Sequence, residues 1–187
     1  MRVIAGTARG MRLGRVPEGT RPLSDRAREG LFASLGPDVG EARCLDLFAG
    51  TGAIGIEALS RGAAHCTFVD RARPATAAIA SNLHTTRMED RAQVVTADVT
   101  KWLRRRPADL VPYDLVFCDP PYDLGGPVLD SCLSALDDGW LHPDGWSVVL
   151  TRGHRSAEPV VPVHWAVRRH LRYGDSLLTR YQEVRWA

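Results

Sequence analysis

The chain has 187 residues, 44% hydrophobic and 25% charged, which suits one domain that buries roughly 70% of its unfolded surface without a disulfide or metal. This composition excludes a collagen-like chain, a disulfide scaffold and a wholly disordered one, and no apolar run approaches the roughly 18 residues of a membrane span. Net charge is only +2, but residues 1–43 carry +3, residues 44–150 carry −5 and residues 151–187 carry +4.

The first ten residues lack the apolar stretch of a secretory signal, so a cytoplasmic location is expected. Residues 2–5 and 11–15 flank a Gly/Arg turn and predict a β-hairpin, carrying Arg9, Arg12 and Arg15. Residues 24–35 read as a helix capped by Ser24, with Leu31 and Leu35 facing the core. Residues 43–48 are a short apolar strand. A helix over 53–61 follows, with Ile54, Ala58 and Leu59 on one face. Strand 65–70, helix 74–87, strand 92–97, helix 100–105, strand 113–118, helix 128–136 and strand 146–151 continue the alternation. That pattern predicts an α/β fold, a mostly parallel sheet with helices on both faces. Residues 164–173 and 177–186 are two strand-like runs around Gly174-Asp175, an antiparallel pair at the sheet edge. The expected division is a basic hairpin extension over 1–20 and one domain over 21–187. Cys44, Cys66, Cys118 and Cys132 form no C-x-x-C pair and read as buried thiols, with no metal site.

Gly50, Gly52 and Gly55 spell G-x-G-x-x-G between a strand and a helix, and Asp70 lies 20 residues beyond Gly50. This spacing is that of a dinucleotide fingerprint, and on spacing alone a nicotinamide oxidoreductase competes. Charge separates the candidates. Asp46 precedes the loop, and Asp98 and Asp119 end two later strands, so the acids converge on one crevice. Such a crevice repels a pyrophosphate and favours S-adenosylmethionine, which carries a sulfonium and an ammonium. Asp98 is read as orienting the adenine, with Val99 beside it; a helix cap is the competing role.

Asp119-Pro120-Pro121-Tyr122 follows the fourth strand. The plain alternative is a proline-stiffened turn. The chemical reading starts from an exocyclic amine on a nucleobase, whose lone pair is delocalised into the ring. An Asp119 oxygen and the Pro120 carbonyl can accept its two hydrogens and free that lone pair. Pro120 and Pro121 fix the backbone, and Tyr122 can stack on the base. The base must leave its stack to enter.

With both motifs, the chain resembles the Rossmann-like class I methyltransferases. More narrowly it resembles the RsmD family of 16S rRNA guanine-N2 methyltransferases, through residues 1–13 (MRVIAGTARGMRL), 21–35 (RPLSDRAREGLFASL), 45–63 (LDLFAGTGAIGIEALSRGA) and 116–122 (VFCDPPY). A weaker match is RYGDS at 172–176. The resemblance implies a seven-stranded sheet with an antiparallel last strand. It implies that Phe48, Ala49, Gly50, Thr51 and Gly52, with Asp46, line the methionine part of the cofactor. Asp70 and Arg71 are expected at the ribose, and Asp98 and Val99 at the adenine. Arg26 and Glu29 are expected near the methionine end, and residues 119–122 around the guanine. Leu23-Ser24 departs from the family, which usually has Thr after the proline. Arg9, Arg12 and Arg15, with Arg168, Arg169 and Arg172, are the candidate grips on 16S rRNA of the small ribosomal subunit, against the plainer reading of solvated charges. A monomer is expected. Guanine over adenine rests on the resemblance alone, and an adenine-N6 or protein methyltransferase shares the tetrapeptide.

Overall fold

The structure is a computed structural model that describes residues 1–14, 23–121 and 123–184. In chain order it contains α1 (Asp25–Leu35), β1 (Arg43–Leu47), α2 (Ala53–Ser60), β2 (His65–Asp70), α3 (Arg73–Thr86), β3 (Ala92–Thr96), α4 (Val99–Leu103), β4 (Leu115–Cys118), α5 (Gly126–Asp137), β5 (Ser147–Gly153), β6 (Trp165–Tyr173) and β7 (Ser176–Glu183). The strands form one sheet in the order β3-β2-β1-β4-β5-β7-β6. β1 to β5 run parallel, and β7 lies antiparallel between β5 and β6.

Four-residue β4, with every residue buried, shows why these strands read as continuous apolar runs. Both faces of the sheet are covered, so the period-2 alternation disappears. On one face Leu31, Phe32 and Leu35 of α1, Ile56 and Leu59 of α2 and Ile79 and Leu83 of α3 pack on Phe68 and Phe117. On the other, Leu103 of α4 and Leu129, Leu133 and Leu136 of α5 pack on Leu45, Val116 and Val148. The four cysteines are buried and free, two in each layer. β1 pairs with β2 on one side and β4 on the other, so a crevice opens at its carboxyl end, where an open α/β sheet binds ligands.

Three expectations change. The N-terminal hairpin is present but short: Arg2 pairs with Arg12, Val3 N–H donates to the Met11 carbonyl, Gly10 N–H to the Val3 carbonyl and Leu13 N–H to the Met1 carbonyl. The segment docks on α2: the N–H groups of Ile4 and Ala5 donate to the Glu57 carboxylate at 2.7 and 3.0 Å, and that of Ala8 donates to Ser60 Oγ. Val3, Ala8 and Leu13 join the first core layer. This docking corrects the second point. α2 is buried on every side rather than on one face, because residues 1–13 cover its outer surface. The third concerns α5, which starts at Gly126, two residues before the expected helix. Pro127 suits a first-turn position because its missing N–H has no helical partner to lose. No helix among the described residues is long and apolar enough to cross a membrane.

Candidate active site

A cavity of about 1110 Å³ opens at the carboxyl ends of β1, β2 and β4 and reaches α1, α4 and the start of α5. Asp46, Phe48, Ala49, Gly50, Thr51, Asp70, Arg71, Asp98, Val99, Asp119, Pro120 and Pro121 all lie on its wall. The structure thus brings Gly50 and Thr51 of the glycine loop, Asp119 to Pro121 and the acids at the strand ends to one cavity, while Gly52, expected at the cofactor, is absent from the described wall.

The glycine loop is held from within. Phe48 adopts φ 58°, a left-handed backbone that bulky residues rarely take. Gly52 caps α2 at φ 73°, and a Cβ on Gly55 would lie 2.3 Å from the Phe68 ring. Gly52 is therefore needed for backbone sign and Gly55 for close helix–sheet contact. Four of the loop N–H groups are already engaged. Ala49 N–H donates to the Val69 carbonyl and Gly52 N–H to the Ala49 carbonyl. Gly50 N–H donates to Asp70 Oδ2 at 2.9 Å, and Gly55 N–H to Asp46 Oδ2 at 3.0 Å. A pyrophosphate needs such groups free at a helix N-terminus. Asn82 of α3 braces the loop from behind, donating to the Thr51 carbonyl at 2.9 Å and binding Gly14 through both side-chain atoms.

The acids differ in state. Asp46 is buried, and loss of solvent pushes its carboxyl well above the usual range, partly offset by the Gly55 bond. Burial also pushes Asp119 up to about 7, against the opposing effect of a hydrogen bond with Thr151. Asp70 is half-buried and also accepts from Ala72 N–H. Asp98 is the cap of α4, accepting from Lys101 N–H at 3.0 Å and from the Thr100 hydroxyl. These bonds lower its carboxyl. The capping role weighed against the adenine role is thus realised, in a residue that also faces the cavity.

Several expected residues stand elsewhere. Arg26 and Glu29 are exposed and absent from the described wall; the helical period turns Ala27, Arg28, Leu31, Phe32 and Leu35 inward instead. From that segment Leu23 and Arg28 reach the cavity. The basic groups are also split. Arg12 stands beside Arg2, whose carbonyl binds Arg28 at the crevice. Arg9 lies toward the far end of α2, where Thr7 N–H binds the Ser60 carbonyl. Arg172 sits at the β6–β7 turn, level with the carboxyl end of β5. Arg168 lines a hollow at the opposite end with Ala42, Asp114 and Ser147. About 13 Å of strand separates Arg168 from Arg172, and a register shift between Val167 and Arg169 alters their alternation. Arg169 is exposed on the same strand. Tyr122 and Arg15 fall outside the described residues.

No motif marks Arg28, Glu57 or Asn82 in the sequence, because most of their partners lie 25 or more residues away. The spacing Ala27-Arg28-Leu31 carried the signal for Arg28, as the arginine shares the apolar helix face.

The sheet order, the antiparallel β7 and the crevice at β1 and β4 define a Rossmann-like methyltransferase fold. The family model described as Conserved hypothetical protein 95 matches residues 1–182, and the chain belongs to that family. It is 36% identical over 185 residues to ribosomal RNA small subunit methyltransferase D of Escherichia coli strain K12, covering 97% of this chain and 89% of the relative. The Haemophilus influenzae protein of the same name is 31% identical over 185 residues, covering 97% and 93%. The solved structure of yhhF from Escherichia coli superposes with a TM-score of 0.86 at 35% identity, over 98% of this chain and 97% of that one.

Proposed function

We propose that this protein transfers a methyl group from S-adenosylmethionine to the exocyclic N2 amine of a guanine in 16S rRNA of the small ribosomal subunit. It does so as a cytoplasmic monomer acting on the subunit or its late assembly particle. The names of the relatives support the small-subunit rRNA substrate, and guanine N2 follows from the resemblance to the RsmD family. One observation carries the cofactor reading. The cavity gathers Asp46, Asp70, Asp98 and Asp119, while the loop N–H groups at 49, 50, 52 and 55 are spent inside the protein. That donor set suits a cationic, phosphate-free ligand and disfavours a nicotinamide dinucleotide.

When bound, the cofactor supplies an electrophilic methyl group on sulfur. The chain's own residues do the rest. The glycine loop and Asp46 hold the amino-acid end, Asp70 and Arg71 the ribose, and Asp98 with Val99 the adenine side. Asp119 accepts a hydrogen bond from the guanine amine, and the Pro120 carbonyl accepts the second. As the nitrogen forms its bond to the methyl carbon, it must shed a proton. A carboxylate whose pKa stands near 7 is matched to take it at neutral pH. Pro121 stiffens the turn and Tyr122 stacks on the base. Arg12 and Arg172 at the crevice end, with Arg15, grip the RNA backbone; Arg9, Arg168 and Arg169 are more distant contacts.

Calorimetry with S-adenosylhomocysteine and with a nicotinamide dinucleotide tests the reading. Binding of the first alone is expected. Binding of the dinucleotide in its place would overturn it.

A further inference from the structure

Arg28 is a charged side chain with no exposed surface, set in the wall of the candidate cavity. Its Nη2 donates to the Arg2 carbonyl and to Asp25 Oδ1, both at 2.7 Å. Its Nη1 donates to the Ala53 carbonyl at 3.3 Å and lies 3.9 Å from Glu57 Oε2. Its Nε is shielded from solvent and has no hydrogen-bond partner. A buried donor of this kind is costly to leave unpaired. The other cation on the described wall, Arg71, is exposed and follows Asp70 at the expected ribose position. The amino-acid end of the proposed cofactor is zwitterionic. Asp46 answers its ammonium, and Arg28 is the buried positive charge on the described wall that can answer its carboxylate.

Resting on the cofactor reading above, we infer that Arg28 anchors the carboxylate of the cofactor's amino-acid end, and that residues 2–5 are part of this anchor. The coupling is direct. The Arg2 carbonyl fixes one end of the guanidinium. Glu57, wholly buried, faces the guanidinium and accepts from the N–H groups of Ile4 and Ala5. It also takes Arg61 Nε at 2.7 Å, so one carboxylate ties the N-terminal segment, α1 and α2 together. Filling the site therefore tightens the segment that carries Arg12.

Two binding comparisons on the intact protein test the anchor. The first uses wild type with S-adenosylhomocysteine and with its decarboxylated analogue. Loss of the carboxylate should weaken binding about 10- to 100-fold, the worth of one charge-assisted hydrogen bond. The second uses Arg28→Met and Arg28→Lys, with folding checked by thermal melting. S-adenosylhomocysteine should weaken by a similar factor in Arg28→Met and less in Arg28→Lys. 5′-Methylthioadenosine, which lacks the amino-acid end, should bind each variant within about threefold of wild type. Equal wild-type affinity for the decarboxylated analogue, or equal weakening of both ligands in a folded Arg28→Met, overturns the anchor. Failure of wild type to bind S-adenosylhomocysteine at all overturns the cofactor reading beneath it. Amide hydrogen exchange tests the coupling. Ile4 and Ala5 should exchange more slowly with S-adenosylhomocysteine than with 5′-methylthioadenosine, and equal rates overturn it.

Discussion

Replacing Asp119 with asparagine should stabilise the fold at alkaline pH while abolishing methyl transfer. The magnitude follows from burial. The carboxyl stands at about 7 in the folded chain against an ordinary 3.8. Between those values the native state holds a proton that the unfolded chain has released. Stability therefore falls as pH rises from about 4 to about 7. At about 1.4 kcal/mol per pH unit, holding Asp119 ionised in the fold costs about 4 kcal/mol above pH 7. Roughly a third of that gap already exists at pH 5, where the unfolded chain is ionised and the native carboxyl is not. Asparagine keeps the shape and never ionises. Urea unfolding of both proteins at pH 5 and pH 8 should show the advantage of Asp119→Asn growing by about 2–3 kcal/mol. Parallel pH profiles would refute the reasoning, since they would mean that Asp119 titrates alike in both states. In the same variant cofactor affinity should change only a few-fold, and methyl transfer should collapse. Unchanged turnover would remove Asp119 from the acceptor role.

Three further outcomes are expected. Gly55→Ala should destabilise by about 1–3 kcal/mol through overpacking, because its Cβ would lie 2.3 Å from Phe68; a neutral thermal melt would contradict the tight helix–sheet contact. Glu57→Ala should cost about 3–5 kcal/mol by leaving buried Arg28 without its facing carboxylate and two backbone donors unpaired, and limited proteolysis should then cut the first 14 residues faster; unchanged stability and cleavage would contradict the tie. Alanine at Arg12 and Arg172 should weaken RNA binding and flatten its salt dependence by about one unit for each phosphate no longer neutralised, more than alanine at Arg9 and Arg168; equal effects would contradict the placement of the grip at the crevice end.

Much of the candidate site was legible because its motifs are local. Gly50, Gly52 and Gly55 are fixed by backbone sign and close approach, both set within a few residues. Ser24 accepts from Ala27 N–H at 3.2 Å, the cap its position predicts. The strand ends carrying Asp70 and Asp119 follow from apolar runs that burial on both faces makes continuous. What stayed hidden depends on distant pairings. Nothing near Glu57 in sequence announces Ile4 and Ala5, more than 50 residues away. Without them an acid on a helix reads as a surface residue, and residues 2–15 read as a free hairpin. Arg28 is hidden for the same reason, since its Arg2 and Ala53 partners lie 25 or more residues away. The candidate arginines read as two groups in the sequence because proximity along the chain hides direction. Along nine-residue β6, Arg168 and Arg172 lie toward opposite ends of the sheet.

The central claim is the reaction itself. Purified protein, S-adenosylmethionine and small ribosomal subunits lacking the modification should yield one methyl group per subunit, mapped to the N2 of a single 16S rRNA guanine. Methyl transfer to an adenine, to DNA or to a protein side chain, or none to the subunit, would contradict it.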